Sequence, residues 1–114
     1  KKAFEIAKQF VKLGKYFILD YNLSAVSALD NFIADHPGSV FREEAYFLKF
    51  RATTTLALNS TFIKKKERLD NALDDYNTLM RFYPETEFGE EAQDLFERLQ
   101  EEIKAYRQLE NLAK

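Results

Sequence analysis

The sequence predicts an all-α chain of antiparallel helix hairpins, about five helices within one domain over residues 1–114, and three observations carry that expectation. Glycine (three) and proline (two) are scarce, while apolar residues recur at three- and four-residue steps. The helical stretches stop at strong turn signals, Pro37-Gly38 and Pro84. The chain also repeats itself. A shift of 47 residues (84 − 37 = 47) lays Ala25 on Ala72, Leu29 on Tyr76, Pro37 on Pro84, Ser39 on Thr86, Phe41 on Phe88, and Glu43-Glu44-Ala45 on Glu90-Glu91-Ala92.

The first helix is expected from about Ala3 to Leu19. Phe4, Ala7, Phe10, Val11, Gly14, Phe17 and Ile18 lie on one side, with Lys1, Lys2, Glu5, Lys8, Lys12 and Lys15 on the other. Gly14 costs roughly 1 kcal/mol relative to alanine in a helix; it either marks the close approach of a neighbour or is simply tolerated. Asp20-Tyr21-Asn22 breaks the pattern, and Asn22 or Asp20 can cap a second helix reaching about His36, with Ala25, Val26, Leu29, Phe32 and Ile33 inward. His36 is the only histidine. Directly before proline at a helix end, with no partner near in sequence, it reads as structural.

A third helix is expected over about 40–58, with Phe41, Ala45, Phe47, Leu48, Ala52 and Leu56 inward. Thr53-Thr54-Thr55 are weak helix formers, so packing must hold that turn; they form either a polar seam or a propensity defect. Asn59 to Ile63 reads as loop, and Lys64-Lys65-Lys66 open a fourth helix over about 65–83, lined by Leu69, Ala72, Leu73, Tyr76, Leu79, Met80 and Tyr83. Cations at a helix N-terminus oppose the dipole, so this cluster is either fully solvated or answers a negative partner. Thr86 can cap the fifth helix, about 87–112, whose inward residues are Phe88, Ala92, Leu95, Phe96, Leu99, Ile103 and Tyr106.

Composition narrows function. Net charge is −2 with both signs interspersed, which argues against a nucleic-acid partner. With no cysteine and one histidine, the chain offers no thiol nucleophile and no His- or Cys-based metal site, so no metal and no cofactor are expected. No apolar run reaches the roughly 18 residues of a membrane span. The chain opens at Lys1 without methionine and reads as a piece of a longer protein. Carboxylate pairs such as Asp74-Asp75, Glu43-Glu44 and Glu90-Glu91 point about 100° apart on a helix and suit exposed or dipole-facing positions, so no catalytic residue is assigned and no enzyme is expected.

The spacing of Tyr16, Ala25, Leu29 and Pro37 resembles the tetratricopeptide repeat, whose antiparallel helices stack into a solenoid. Ala72, Tyr76 and Pro84 keep that register, although Ile63 stands where an aromatic belongs and the 47-residue period exceeds the usual length of about 34. Within this pattern Asn59-Ser60, the run Lys65-Lys66-Glu67-Arg68-Leu69-Asp70-Asn71-Ala72-Leu73, and Phe82-Tyr83 before Pro84 resemble the C-terminal half of the BamD family. Those proteins are helical-repeat lipoproteins of the outer-membrane β-barrel assembly machinery, and the likeness is to Bacteroidetes-like forms. The resemblance implies a non-enzymatic scaffold on the periplasmic face of the outer membrane, held by an anchor outside this segment, with other subunits of the machinery as partners. Phe62, Ile63, Lys64, Lys65 and Lys66 are the candidate partner-binding edge, two apolar residues in a loop beside cations that oppose the dipole; alternatively, Phe62 and Ile63 staple the helix entry to the core. The alternative is a co-chaperone-like receptor for peptide tails, for which Asn22, Asn59, Lys49 and Arg51 are the right residue types.

Overall fold

A computed structural model describes residues 2–13 and 18–113, with the backbone alone at 10–13 and 18. It contains α1 (Lys2–Leu13), α2 (Ile18–Asp35), α3 (Arg42–Leu58), α4 (Phe62–Phe82) and α5 (Gly89–Leu112), and no strand among the described residues. Each helix packs on its predecessor in an array 48 × 30 × 20 Å in extent. The fold is all-α and tetratricopeptide-like, as the sequence predicts.

The centre of the array is α3, which packs against all four other helices. It can do so because small and apolar residues surround it: Ala45, Phe47, Leu48, Phe50, Ala52, Leu56 and Ala57 are buried, and with them Thr53 and Thr54. The Thr53 hydroxyl lies 3.0 and 3.1 Å from the carbonyls of Lys49 and Phe50, and Thr55 donates to that of Arg51 at 2.9 Å, whereas the buried Thr54 hydroxyl has no hydrogen-bond partner among the described residues. Aromatic residues fill the spaces between helices. Phe4 stacks on Phe41, Phe47 on Phe88, and Tyr76 on Phe96, with centroids 4.9, 4.8 and 4.0 Å apart. Ala25 and Ala72, the register pair, have no exposed surface, which is what close helix packing at an alanine requires.

The two turns repeat bond for bond. The amides of His36, Ser39, Arg42 and Ala45 donate to the carbonyls of Phe32, His36, Ser39 and Phe41; those of Tyr83, Thr86, Gly89 and Ala92 donate to Leu79, Tyr83, Thr86 and Phe88, 47 residues later in every case. Ser39 and Thr86 each accept the amide two residues on, from Phe41 at 3.0 Å and Phe88 at 3.2 Å; Phe41 and Phe88 are themselves the N-cap residues of α3 and α5, so Thr86 closes the preceding turn and does not cap the helix as the sequence predicts. Thr86 does more. Its hydroxyl donates to Glu43 Oε2 at 2.5 Å, and the same oxygen accepts the Glu87 amide at 3.3 Å, which ties the start of α3 to the α4–α5 turn.

The register also shows where the repetition stops. At the positions of buried Phe47, Phe50, Thr54 and Ala57 in α3, α5 carries Asp94, Glu97, Glu101 and Lys104, all exposed.

Three further sequence expectations need correction. The second helix starts at Ile18 and runs straight through Asp20-Tyr21-Asn22, so Ile18 and Leu19 belong to α2 and neither polar residue caps it. Asn22 is buried inside the helix, where tertiary packing outweighs its local preference. The fourth helix starts at Phe62, because Thr61 takes the extended conformation of an N-cap (φ −67°, ψ 161°) and only 59–61 remain as turn. Gly14, Tyr16 and Phe17 lie outside the described residues, as do the side chains of Phe10, Val11 and Ile18.

Candidate partner-binding site

The helical start of α4 spreads the five candidate residues around its axis. Phe62 turns towards α5, where its ring stacks on Tyr106 at 4.8 Å while 46% of the residue stays exposed. Lys65 turns the same way and pairs with Glu102 at 2.5 Å, its side chain only 16% exposed. That pair decides one of the two readings of the basic cluster: Lys65 answers a negative partner, and the partner lies within the chain. Ile63 points outward at 87% exposure, an apolar side chain with almost no cover. Lys64 and Lys66 are exposed on different flanks, Lys64 beside α2 and α3, Lys66 beside α5. The structure therefore brings together Ile63 and Lys64 on open surface and assigns Phe62 and Lys65 to packing.

Lys64 leads into a cleft that the sequence reading did not find. Its walls are α2 (Leu23, Val26, Ser27, Asp30) and α4 (Lys64, Glu67, Arg68, Asn71), its floor is α3 (Thr53, Leu56), and its volume is about 390 Å³. The cleft exists because α2 and α4 both pack on α3 without approaching each other. One end is tied shut by Lys49, whose Nζ lies 2.7 Å from Asp30 on α2 and 3.3 Å from Asp75 on α4. Burial pulls the Lys49 ammonium down, but the hydrogen bond to Asp30 and the charges of both carboxylates overcome this and hold its pKa above the usual value. Asp75 moves the opposite way for an acid gaining a cation: burial pushes its pKa up by more than Lys49 and the Thr53 hydroxyl pull it down. The two directions agree once the stoichiometry is counted. The ammonium sees two anions, whereas Asp75, 14% exposed, shares one cation with Asp30, 50% exposed. The other end of the cleft is apolar and cationic, with Leu23 45% exposed, Lys64 in no ion pair among the described residues, and the Arg68 guanidinium donating to the Ser60 hydroxyl at 2.9 Å. The signal available in sequence was Leu23, an apolar residue off the Ala25–Leu29–Phe32 stripe.

The residues suited to a peptide-tail clamp do not converge. Lys49 is held by Asp30 and Asp75, Arg51 pairs with Glu91 at 2.9 Å, the Asn59 amide donates to the Thr55 carbonyl at 2.8 Å, and Asn22 is buried. His36 is exposed with its ring against Phe32 at 4.9 Å. Among the paired carboxylates, Glu44 bonds Lys8, Glu91 bonds Arg51, and Glu43 holds the Thr86 turn.

A tetratricopeptide-like array of helix hairpins with its functional potential on the surface is the class this geometry defines. Residues 13–111 match the YfiO family, described as outer membrane lipoprotein, and the chain belongs to that BamD-like family. Comparison with curated proteins and with solved structures returns no match. Membership associates the chain with the outer membrane and with protein partners there. Among the described residues no helix is long and apolar enough to cross a membrane.

Proposed function

We propose that this chain is a non-enzymatic docking scaffold of the outer-membrane β-barrel assembly machinery, working at the periplasmic face of the membrane and held there by an anchor outside this segment. The family match over residues 13–111 carries the reading. The fold supports it: helix hairpins repeating at 47 residues build a rigid array whose surface, not an enclosed cavity, is available to other proteins. Ile63 and Lys64 form the exposed core of the partner-binding edge, with Lys66 on its flank and Phe62 and Lys65 fixing the helix that presents them. The likeness of the 59–73 segment to Bacteroidetes-like forms supports a source in that branch.

The test is cellular. Depleting the parent protein in its native host should lower the amounts of folded outer-membrane barrel proteins, and the tagged parent should co-purify with the barrel-forming subunit of the machinery. Unchanged barrel proteins together with no such co-purification would overturn the assignment.

A further inference from the structure

We propose that the cleft between α2 and α4 is a docking groove for an amphipathic helical segment of another protein, one that presents leucine-sized apolar residues with carboxylates one turn away. The proposal rests on the scaffold reading above and adds the chemistry of what is bound.

The groove is polarised along its length. At its closed end Asp30, Lys49 and Asp75 neutralise one another to a net charge of −1, and the charged groups there already hold partners. At its open end the groups are incompletely used: Lys64 has no ion pair among the described residues, and Arg68 spends its guanidinium on a neutral hydroxyl. A guanidinium presents a fork of donors suited to a carboxylate, and Lys64 lies one helical turn away from it. Glu67 also lines the groove between them, exposed, and leaves the open end with a net charge of +1. Between the two ends, Leu23 and Val26 on one wall and Leu56 on the floor supply apolar surface, and a leucine nearly half exposed at the mouth of a groove is where a partner's apolar side chain gains most. The volume equals that of about 13 water molecules, enough for a few side chains of a helix laid along the groove but not for a folded domain. An acidic–apolar helix complements this pattern; a basic one meets Lys64 and Arg68 with like charge.

The probe is a fluorescein-labelled synthetic helix with leucine and glutamate on alternate turns of one face, read by anisotropy at low salt against the whole chain. Two control helices accompany it, one with lysine for glutamate and one with alanine for leucine. Two variants test the groove. Ser27→Trp fills it from an exposed position on α2, and Lys64→Glu reverses its free cation without touching an internal pair. Binding of the Leu/Glu helix, weakened about tenfold by either variant and by either control sequence, is the expected result. Circular dichroism melts matching the parent's show that both variants fold. Equal affinity for the Leu/Lys helix, unchanged affinity in both variants, or no binding of the Leu/Glu helix would each overturn the proposal. None of these results bears on co-purification with the barrel-forming subunit, so the groove and the scaffold assignment fail separately.

Discussion

Ser39 and Thr86 occupy the same place in two superimposable turns, yet only Thr86 reaches across to another helix, and this makes the pair a built-in control. Ser39→Ala removes one hydroxyl acceptor from the amide of Phe41. Loss of such a hydrogen bond costs about 1 kcal/mol. Thr86→Ala removes the equivalent bond to Phe88 and, in addition, the donation to the Glu43 carboxylate. A hydrogen bond to a charged group contributes about 1.5–3 kcal/mol when shielded, and the partly buried position argues for the lower figure. Thr86→Ala should therefore cost about 2–2.5 kcal/mol, at least 1 more than Ser39→Ala. For a chain of this size that difference separates the two thermal midpoints by about 4 °C. Thermal melts followed by circular dichroism measure both. A double-mutant cycle with Glu43→Ala should show coupling of about 1 kcal/mol for Thr86 and none for Ser39. Equal melting points for Ser39→Ala and Thr86→Ala, with no coupling to Glu43, would refute the idea that this carboxylate clamps the second turn to the first repeat.

Ala72→Leu should destabilise by about 1–3 kcal/mol, because a fully buried alanine leaves no room for three more carbons; a urea midpoint equal to the parent's would mean the helices can separate there. Lys65→Glu should cost about 1 kcal/mol by placing a second anion against Glu102, while Lys64→Glu and Lys66→Glu stay within about 0.5. Equal melts for all three would show that the Lys65 pair contributes nothing. Lys49 has a folded pKa above 10.5, so its contribution is complete below that pH and disappears as pH rises through the folded value. Lys49→Met should cost about 2 kcal/mol at pH 7 by leaving Asp75 buried beside Asp30 without a cation. The raised Asp75 pKa means that protonation favours the fold, so the deficit should shrink as pH falls into the carboxylate range. Chemical denaturation at pH 7 and pH 4 tests this, and a deficit that grows on acidification would contradict it.

How much of this was readable in the chain depends on the range of the interactions. The turns were legible because proline, the turn hydroxyl two residues on and the acidic first turn are local signals, and their recurrence at 47 residues set the repeat register, although the hydroxyl closes the turn and does not cap the helix. The inward stripe of α4 was legible for the same reason: Leu69, Ala72 and Leu79 lie on one face whatever covers it. Asn22 misled because a residue that favours helix caps lies buried within α2, and its burial is not a local signal. The start of α4 was missed because three lysines disfavour a helix N-terminus electrostatically, and the compensating carboxylate, Glu102, is 37 residues away. Lys49 resembled a free groove cation for a like reason, since both of its carboxylates come from helices other than its own. The cleft itself follows from the separation of α2 and α4, a property of the stack and of no single helix.

The charged flank of α5 bears on self-association. An array built by laying one hairpin on another exposes at its edge the kind of surface its interior uses for growth, and head-to-tail contacts between copies on such a surface extend into filaments without closing. Where α3 receives its neighbours through Phe47, Phe50, Thr54 and Ala57, α5 presents Asp94, Glu97, Glu101 and Lys104. A second molecule arriving in the stacking register would have to strip water from three carboxylates with one lysine to offset them, and burying unpaired charge is among the costliest steps in protein association. The helices of the two repeats can thus share one architecture while matching positions of α3 and α5 differ in chemistry, largely apolar and buried in one and charged and exposed in the other.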